Sequence, residues 1–282
     1  EEHSMVGLSF AERADLPGCP PLAARLLQLM ARKKTNLCVA ADATSQADLL
    51  AVADQAGPHV AVLKTHVDLL EDYDSSFPAK LQALAKKHDF IIFEDRKFAD
   101  IGKTVTRQFA RGSFRISEWA DLVSAHAVPG PGVISGIREG ITASRDVGVL
   151  LVAEMSTQGS LACGHYTEAT SQLATENQDL VLGYMCQRRI TKDPSWQLHF
   201  SPGIKLTGAS IHRSASAGGE GKISPDEAIR VRGNDIIIVG RGVCSSATCT
   251  AGGSHVHDIS AEAKSYRDAA WEAYTNRLAM EA

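Results

Sequence analysis

Short apolar runs alternate with helix-patterned segments from residue 36 to the end of the chain, and the alternation repeats eight times. The runs are NLCVAAD (36–42), HVAVLKTH (59–66), FIIFEDRK (90–97), ADLVSAHA (120–127), GVLLVAEM (148–155), DLVLGYMC (179–186), HFSPGIKL (199–206) and DIIIVGRGV (235–243). Each is short and rich in β-branched or aromatic residues, and most are apolar throughout. That is the pattern of strands covered on both faces in a parallel sheet. Helix patterns are read at 48–57 (ended by Gly57), 78–88, 101–111, 132–141, 166–177, 225–233 and 261–278, with an irregular stretch after the sixth strand. Pro202 interrupts the seventh run and weakens it as a strand. Eight βα units in 282 residues predict α/β class and a single (β/α)8 TIM barrel spanning 1–282, not an open doubly wound sheet. Leu22, Leu26, Leu29 and Met30, at helical spacing after Pro20-Pro21, make 1–35 an N-terminal helical extension packed on the barrel.

Hydrophobic residues make up 44% of the chain and mean hydropathy is -0.10, enough for one large core with no apolar run long enough to span a bilayer. A net charge of -4 gives no basis for a nucleic-acid partner, and Arg107, Arg111 and Arg115 read as a solvated helix face. The six cysteines (Cys19, Cys38, Cys163, Cys186, Cys244 and Cys249) contain no CxxC pair and read as reduced thiols, not as a disulfide framework or zinc site. The opening EEHSMVGLSF is acidic and has no long apolar region, so no signal peptide is read there. The expected location is cytoplasmic.

In such a barrel the chemistry gathers at the carboxyl ends of the strands. Those ends carry Asp42, Lys64, then Asp95, Lys97 and Asp100, then His126, Glu154 with Ser156, and Gly240 with Arg241. Asp95 and Lys97 share a face by strand alternation. Taken singly, Asp100 would serve as a helix N-cap, and Asp95 with Lys97 as a rim ion pair. Two lysines and three aspartates from three neighbouring strand ends are costly to desolvate and point to function. VGRG (239–242), leading into small residues after the last strand, fits a phosphate site of backbone N–H groups with Arg241 beside it; the alternative is a plain turn. Glu94 points to the opposite face from Asp95 and is read as a structural partner. His66, His126 and His199 lack metal-ligand spacing and are read as packed or hydrogen-bonded. Trp119, Trp196 and Trp271 are read as packing.

With LSFAERA, LCVAADAT, LKTHVD, FEDRKFADIGKTV, ADLVSAHAVPG, VAEMSTQGSLA, SPG, DIIIVGRG and AAWEAYTNRL in order, nearly the whole chain resembles orotidine 5′-monophosphate decarboxylases of the eukaryotic type. The same motifs fit a free-standing decarboxylase and the decarboxylase domain of a bifunctional UMP synthase alike. The resemblance implies cofactor-free conversion of orotidine 5′-monophosphate to UMP, the last step of de novo pyrimidine nucleotide synthesis. It also implies a homodimer with shared active sites, and neither nucleic acid nor membrane as partner. It makes Lys64, Asp95, Lys97 and Asp100 the catalytic charged network, with no metal, and Asp100 acting across the dimer interface. It assigns Asp42 and Thr104 to the ribose hydroxyls (Thr104 again from the second subunit), Ser156 to the pyrimidine edge, Pro202 to the base pocket, and Gly240 and Arg241 to the phosphate. One departure stands out. Where the family grips the phosphate with a Gln and a Tyr, this chain has Glu220, Gly221 and Lys222, leaving Lys222, Arg213 or His212 as candidates, and the loop 245–258 is extended. Two rivals remain open from the residues: a Mg²⁺-dependent sugar-phosphate decarboxylase on the same barrel, and an inactive barrel kept as a nucleotide-binding scaffold.

Overall fold

The computed structural model describes residues 7–143, 145–192, 195–206, 223–244 and 258–281. His212, Arg213, Glu220, Gly221, Lys222, Cys249 and, apart from Asp258, the extended loop 245–258 lie outside the described residues. Eight strands, β1 (Leu37–Ala40), β2 (Val62–Thr65), β3 (Ile91–Phe98), β4 (Leu122–His126), β5 (Gly148–Val152), β6 (Val181–Met185), β7 (Leu198–Ser201) and β8 (Ile236–Val239), pair in parallel in sequence order. β1 then pairs with β8, which closes the barrel. β1, β2, β5, β6, β7 and β8 are buried along their whole length, which is why their sequences are apolar at every position instead of alternating.

The outer layer is α3 (Gln46–Ala56), α4 (Phe77–His88), α5 (Gly102–Ala110), α6 (Pro131–Gly140), α7 (His165–Thr175), a short α8 (Arg241–Cys244) and α9 (Ile259–Glu281). Among the described residues no helix is long and apolar enough to cross a membrane. Two helices precede the barrel, α1 (Phe10–Ala14) and α2 (Pro21–Lys33). Leu22, Leu26, Leu29 and Met30 of α2 are all buried. In α1, Phe10 stacks on Tyr274 of α9 with ring centroids 4.0 Å apart, and its N–H donates to the Tyr274 hydroxyl at 2.7 Å.

Arg13 of α1 reaches the closed end of the barrel. Its Nη1 lies 2.5 Å from Oδ1 of the fully buried Asp235. Arg189 Nη2 (2.9 Å) and Arg277 Nη2 (3.6 Å) approach the same oxygen, and His199 Nδ1 lies 3.1 Å from Oδ2. One carboxylate thus ties α1, α9 and the β6–β7 connection to the base of β8. His199 is therefore hydrogen-bonded, as its sequence context predicts.

Gly57 ends α3 as its C-cap, with φ -48°, and the chain passes directly into a 3-10 turn. Glycine is needed there because a Cβ would sit 2.6 Å from the His88 ring. β7 stops at Ser201, immediately before Pro202, which has no N–H to give the ladder. The helix read at 225–233 widens into a π-helical turn over Glu227–Val231, with Arg232 N–H donating to Glu227 O, before Gly233 turns the chain at φ +73°.

β3 is the longest strand, and its pairing with β4 slips. It pairs with β4 at Phe93–Leu122 and Glu94–Val123, then resumes at Phe98–Ala125. Three residues of β3, Asp95 to Lys97, therefore face the single residue Ser124, and Lys97 sits at φ +52°. Such a bulge re-aims side chains at the mouth of a barrel. Glu94, just before it, faces away from the cavity and is fully buried. It accepts hydrogen bonds from the Thr65 hydroxyl (2.6 Å) and the Val67 N–H (3.1 Å), so it holds the chain leaving β2, the structural role expected of it.

Burial pushes the Glu94 carboxyl up to about 8, against the hydrogen bonds from Thr65 and Val67 that favour its charged form. The folded chain therefore keeps this proton to higher pH than the unfolded chain, whose value is 4.5, and stability falls as pH rises between the two. Each pH unit inside that window removes about 1.4 kcal/mol from this group's contribution. Glu94→Gln cannot ionise and retains an acceptor oxygen. Its melting temperature should decline less between pH 5 and pH 8 than that of the parent chain, and parallel profiles would dismiss the buried proton.

Candidate active site

The carboxyl ends of the strands open into a cavity of about 660 Å³. Its floor carries a row of charges of alternating sign. Asp42 follows β1; its Oδ1 is 3.1 Å from Lys64 Nζ at the end of β2. Lys64 Nζ lies 3.5 Å from Asp95 Oδ2 on β3, and the same oxygen is 2.7 Å from Lys97 Nζ. Lys64 and Asp95 are 5% and 3% exposed, whereas the Lys97 side chain keeps 31% of its surface, turned toward the cavity.

Burial alone would neutralise these groups. For Asp95 the burial penalty is the largest single influence and acts upward, yet Lys64, Lys97 and His66 together outweigh it and hold the carboxyl below its ordinary value. Lys64 mirrors this: burial lowers its ammonium, but Asp95 and Asp42 bring it above the ordinary value. The two buried members, Lys64 and Asp95, stay charged because their neighbours in the row stabilise that form.

Several side chains surround it. Pro202 and Ser156 line the cavity, with Gly240 and Arg241 at the end of β8. α8 begins at Arg241, so the first turn of a helix opens onto the cavity next to the arginine, a combination suited to an anion. Gly242 leaves room for the Tyr266 hydroxyl, which would be 2.2 Å from a Cβ there. Glu154 also reaches the cavity but accepts a hydrogen bond from Gln187 N–H at 2.9 Å and lies 3.3 Å from Arg188, so it braces the β5–β6 rim.

Asp100 and Thr104 are not brought to this cavity within the chain. Both are exposed. The Asp100 carboxylate accepts the neighbouring Ile101 N–H at 2.8 Å, and the N-cap of α5 is Ile101, so Asp100 does not cap the helix. The alternation inside one chain therefore runs from Asp42 to Lys97.

Two residues were not singled out from the sequence. His66, read as packed or hydrogen-bonded, lines the cavity with Nε2 3.5 Å from Asp95 Oδ2; burial and then Lys64 push its pKa below the usual imidazole value. Its place two residues beyond Lys64 is the signal available in the sequence. Ser124 lies beneath Asp95 and Lys97, and only the β3–β4 register reveals it. Among the described residues, His66, Asp68 and Glu94 have ligand atoms within 4.8 Å of one another, a metal-compatible spacing. Both Glu94 oxygens, however, already accept hydrogen bonds from the Thr65–Val67 segment.

The arrangement presents a fixed ammonium to a molecule in the cavity, beside a carboxylate that cannot readily become neutral. Gly240 and Arg241 border the same cavity, and Pro202 and Ser156 are also in its lining. Residues 35–251 match the family model described as orotidine 5′-phosphate decarboxylase / HUMPS family. The chain is 48% identical over 274 residues to uridine 5′-monophosphate synthase of Bos taurus, covering 97% of this chain and 53% of that one, so it spans about half of the bovine protein's length. It is 45% identical over 262 residues to the orotidine 5′-phosphate decarboxylase of Schizophyllum commune, covering 92% of each. The barrel also superposes on the orotidine 5′-monophosphate decarboxylase of Methanocaldococcus jannaschii in complex with the inhibitor BMP, at a TM-score of 0.58 and 19% identity over 83% of this chain and 97% of that one, a likeness of fold. The chain belongs to the orotidine 5′-phosphate decarboxylase / HUMPS family.

Proposed function

We propose that this chain is a carboxy-lyase that converts orotidine 5′-monophosphate to UMP and CO2 without a cofactor, acting in the cytosol as a homodimer. We further propose that residues 1–282 work as one barrel, with 1–35 as its helical lead-in. The observation that carries the reading is the row Asp42, Lys64, Asp95, Lys97, whose last ammonium faces the cavity.

The chemistry follows from the charges. Loss of CO2 from C6 of the pyrimidine leaves an electron pair on that carbon. The Lys97 ammonium stabilises the pair as it develops and then transfers its proton to C6, giving UMP. Asp95 keeps Lys97 in place, and Lys64 keeps Asp95 charged. With the substrate carboxylate beside Asp95, two negative groups are crowded in the ground state, and departure of neutral CO2 relieves the crowding. Arg241 and Gly240 take the phosphate, Pro202 walls the base, Ser156 reads the pyrimidine edge and Asp42 binds the ribose. Asp100 and Thr104, exposed on the rim, are assigned to the second copy's site. Phosphate contacts far from C6 hold the substrate for the reaction.

The rival within the family is a Mg²⁺-dependent sugar-phosphate decarboxylase. Lys64 Nζ speaks against it: an ammonium 3.5 Å from Asp95 Oδ2 stands where a dication would compete for the same oxygen. An inactive scaffold is the other rival, but it gives no reason to keep Lys97 in a left-handed conformation at the cavity.

The function is tested by following the absorbance of orotidine 5′-monophosphate. The substrate should be consumed at the same rate with and without EDTA. Loss of turnover in EDTA would favour the metal-dependent rival, and UMP binding without any turnover would favour the scaffold. Lys97→Ala should lower kcat by about a thousandfold or more while the far-ultraviolet circular dichroism is unchanged; an active variant removes Lys97 from its role. Mixing inactive Lys97→Ala and Asp100→Ala subunits should restore roughly a quarter of the parent activity, since half the dimers are mixed and each rebuilds one site of two. No recovery after mixing would refute the shared site.

A further inference from the structure

The carboxylate and the lysine at the centre of the site are joined by a third residue. Ser124 is fully buried in β4. Its hydroxyl donates to Asp95 Oδ1 at 2.6 Å and accepts the Lys97 backbone N–H at 2.9 Å. These contacts fall where the β3–β4 ladder fails: between Glu94–Val123 and Phe98–Ala125 the main chains are out of register. A side-chain hydroxyl occupies the place of the missing ladder partner.

We propose that Ser124 is a positioning residue, whose single hydroxyl fixes the Asp95 carboxylate and the left-handed Lys97 backbone as one rigid unit. This rests on the decarboxylase reading given above.

Lys97 has φ +52°, a conformation that costs a residue with a Cβ about 1–2 kcal/mol and persists only where neighbours enforce it. Val105 and Phe109 bury α5 against the body downstream, and Phe93 and Glu94 are fixed upstream by the ladder. Of the side-chain hydrogen bonds that the Lys97 backbone makes, the one to Ser124 is the one crossing from β4. The Asp95 carboxylate is held on both oxygens: Oδ2 by the two ammonium groups and Oδ1 by Ser124. Without the hydroxyl, the carboxylate can turn about its Cβ–Cγ bond and the 95–97 segment can relax toward ordinary strand geometry. Either change carries Lys97 Nζ away from its 2.7 Å contact. Reaction rates are steeply sensitive to such displacement, of the order of a hundredfold per ångström. The phosphate and ribose groups are gripped by other elements, so substrate affinity depends little on Ser124.

The test compares Ser124→Ala, which deletes the hydroxyl, with Ser124→Thr, which keeps it. Two readouts are made on each. In Ser124→Ala, kcat should fall by about 10- to 100-fold with KM within about threefold, and the Lys97 amide should exchange with solvent at least about tenfold faster in ¹⁵N-labelled protein. Ser124→Thr should restore both toward the parent values. Thermal unfolding of each variant confirms that the barrel is intact under assay conditions. Parent-like kcat and Lys97 exchange in Ser124→Ala would overturn the proposal, as would equal loss in kcat and affinity not recovered by a folded Ser124→Thr. Amide exchange needs no turnover, so it still decides the role of Ser124 if the parent chain consumes no orotidine 5′-monophosphate. That second result would count against the decarboxylase reading alone.

Discussion

A buried carboxylate between two ammonium groups sets the terms for the open end of this barrel. Asp95 is almost wholly removed from water, and an isolated charge there would take up a proton. It stays ionised because Lys64 and Lys97 approach the same oxygen while Ser124 satisfies the other. The three must be delivered by three strands in fixed register, so barrel closure and site formation are one requirement. Buried ion pairs of this kind seldom add net stability, since desolvation consumes most of the Coulomb gain. What the fold gains is an electrostatic pattern that does not reorganise when charge moves in the cavity.

The opposite end of the barrel shows why crowded charges alone do not mark a site. Asp235 is as buried as Asp95 and is approached by three arginines and a histidine. Arg13 Nη1 and Nη2 both engage it, and the other groups around it donate to main-chain carbonyls: Arg13 Nε to Ser195 O, Arg189 Nε to Gly233 O, Arg277 Nη1 to Asn234 O. These cations are turned into the protein and spent on holding α1, α9 and β8 together. Lys97 differs in one respect that matters: its ammonium touches Asp95 and also faces a cavity large enough for a nucleotide. Both ends hold a buried carboxylate among cations, and access separates anchor from reagent.

The barrel was legible because continuous burial leaves so plain a trace. All eight apolar runs became strands in the expected order. The errors lie where backbone geometry, not side-chain polarity, decides. Gly57 stops α3 and also admits the His88 ring, whereas 225–233 carries a helical pattern that the chain resolves as a π turn. Lys64 and Asp95 could be read at the site from strand ends alone. Asp95 and Lys97 were expected on one face by alternation, and they do meet, although through a bulge and a left-handed lysine. Ser124 was invisible for the same reason. Nothing in LVSAH marks its third residue, and its importance arises from a register shift encoded in the partner strand. His66 sits packed at the cavity edge with Nε2 3.5 Å from Asp95, a proximity that its sequence neighbours do not reveal.

Within the described residues, the alternation ends at Lys97 with one acidic neighbour, Asp95. From Asp42 to Lys97 each charge has an opposite neighbour on either side except at the ends. Asp42 opens to solvent with a half-exposed side chain, where water screens it. Lys97 opens to the cavity, where closure over a substrate would strip water away and leave its charge balanced by Asp95 alone. An anion on the cavity side then gains more than it would in solvent. In the proposed reaction, two anions meet that need in succession of importance: the substrate's departing carboxylate with its C6 electron pair, and the second copy's aspartate at position 100. Asp100 is exposed in this chain, beside Ile101, which is 58% exposed, so under that proposal its carboxylate would be open to a second copy. A fully satisfied Lys97 inside one chain would be a second Arg13, an anchor with nothing left to offer a reacting carbon.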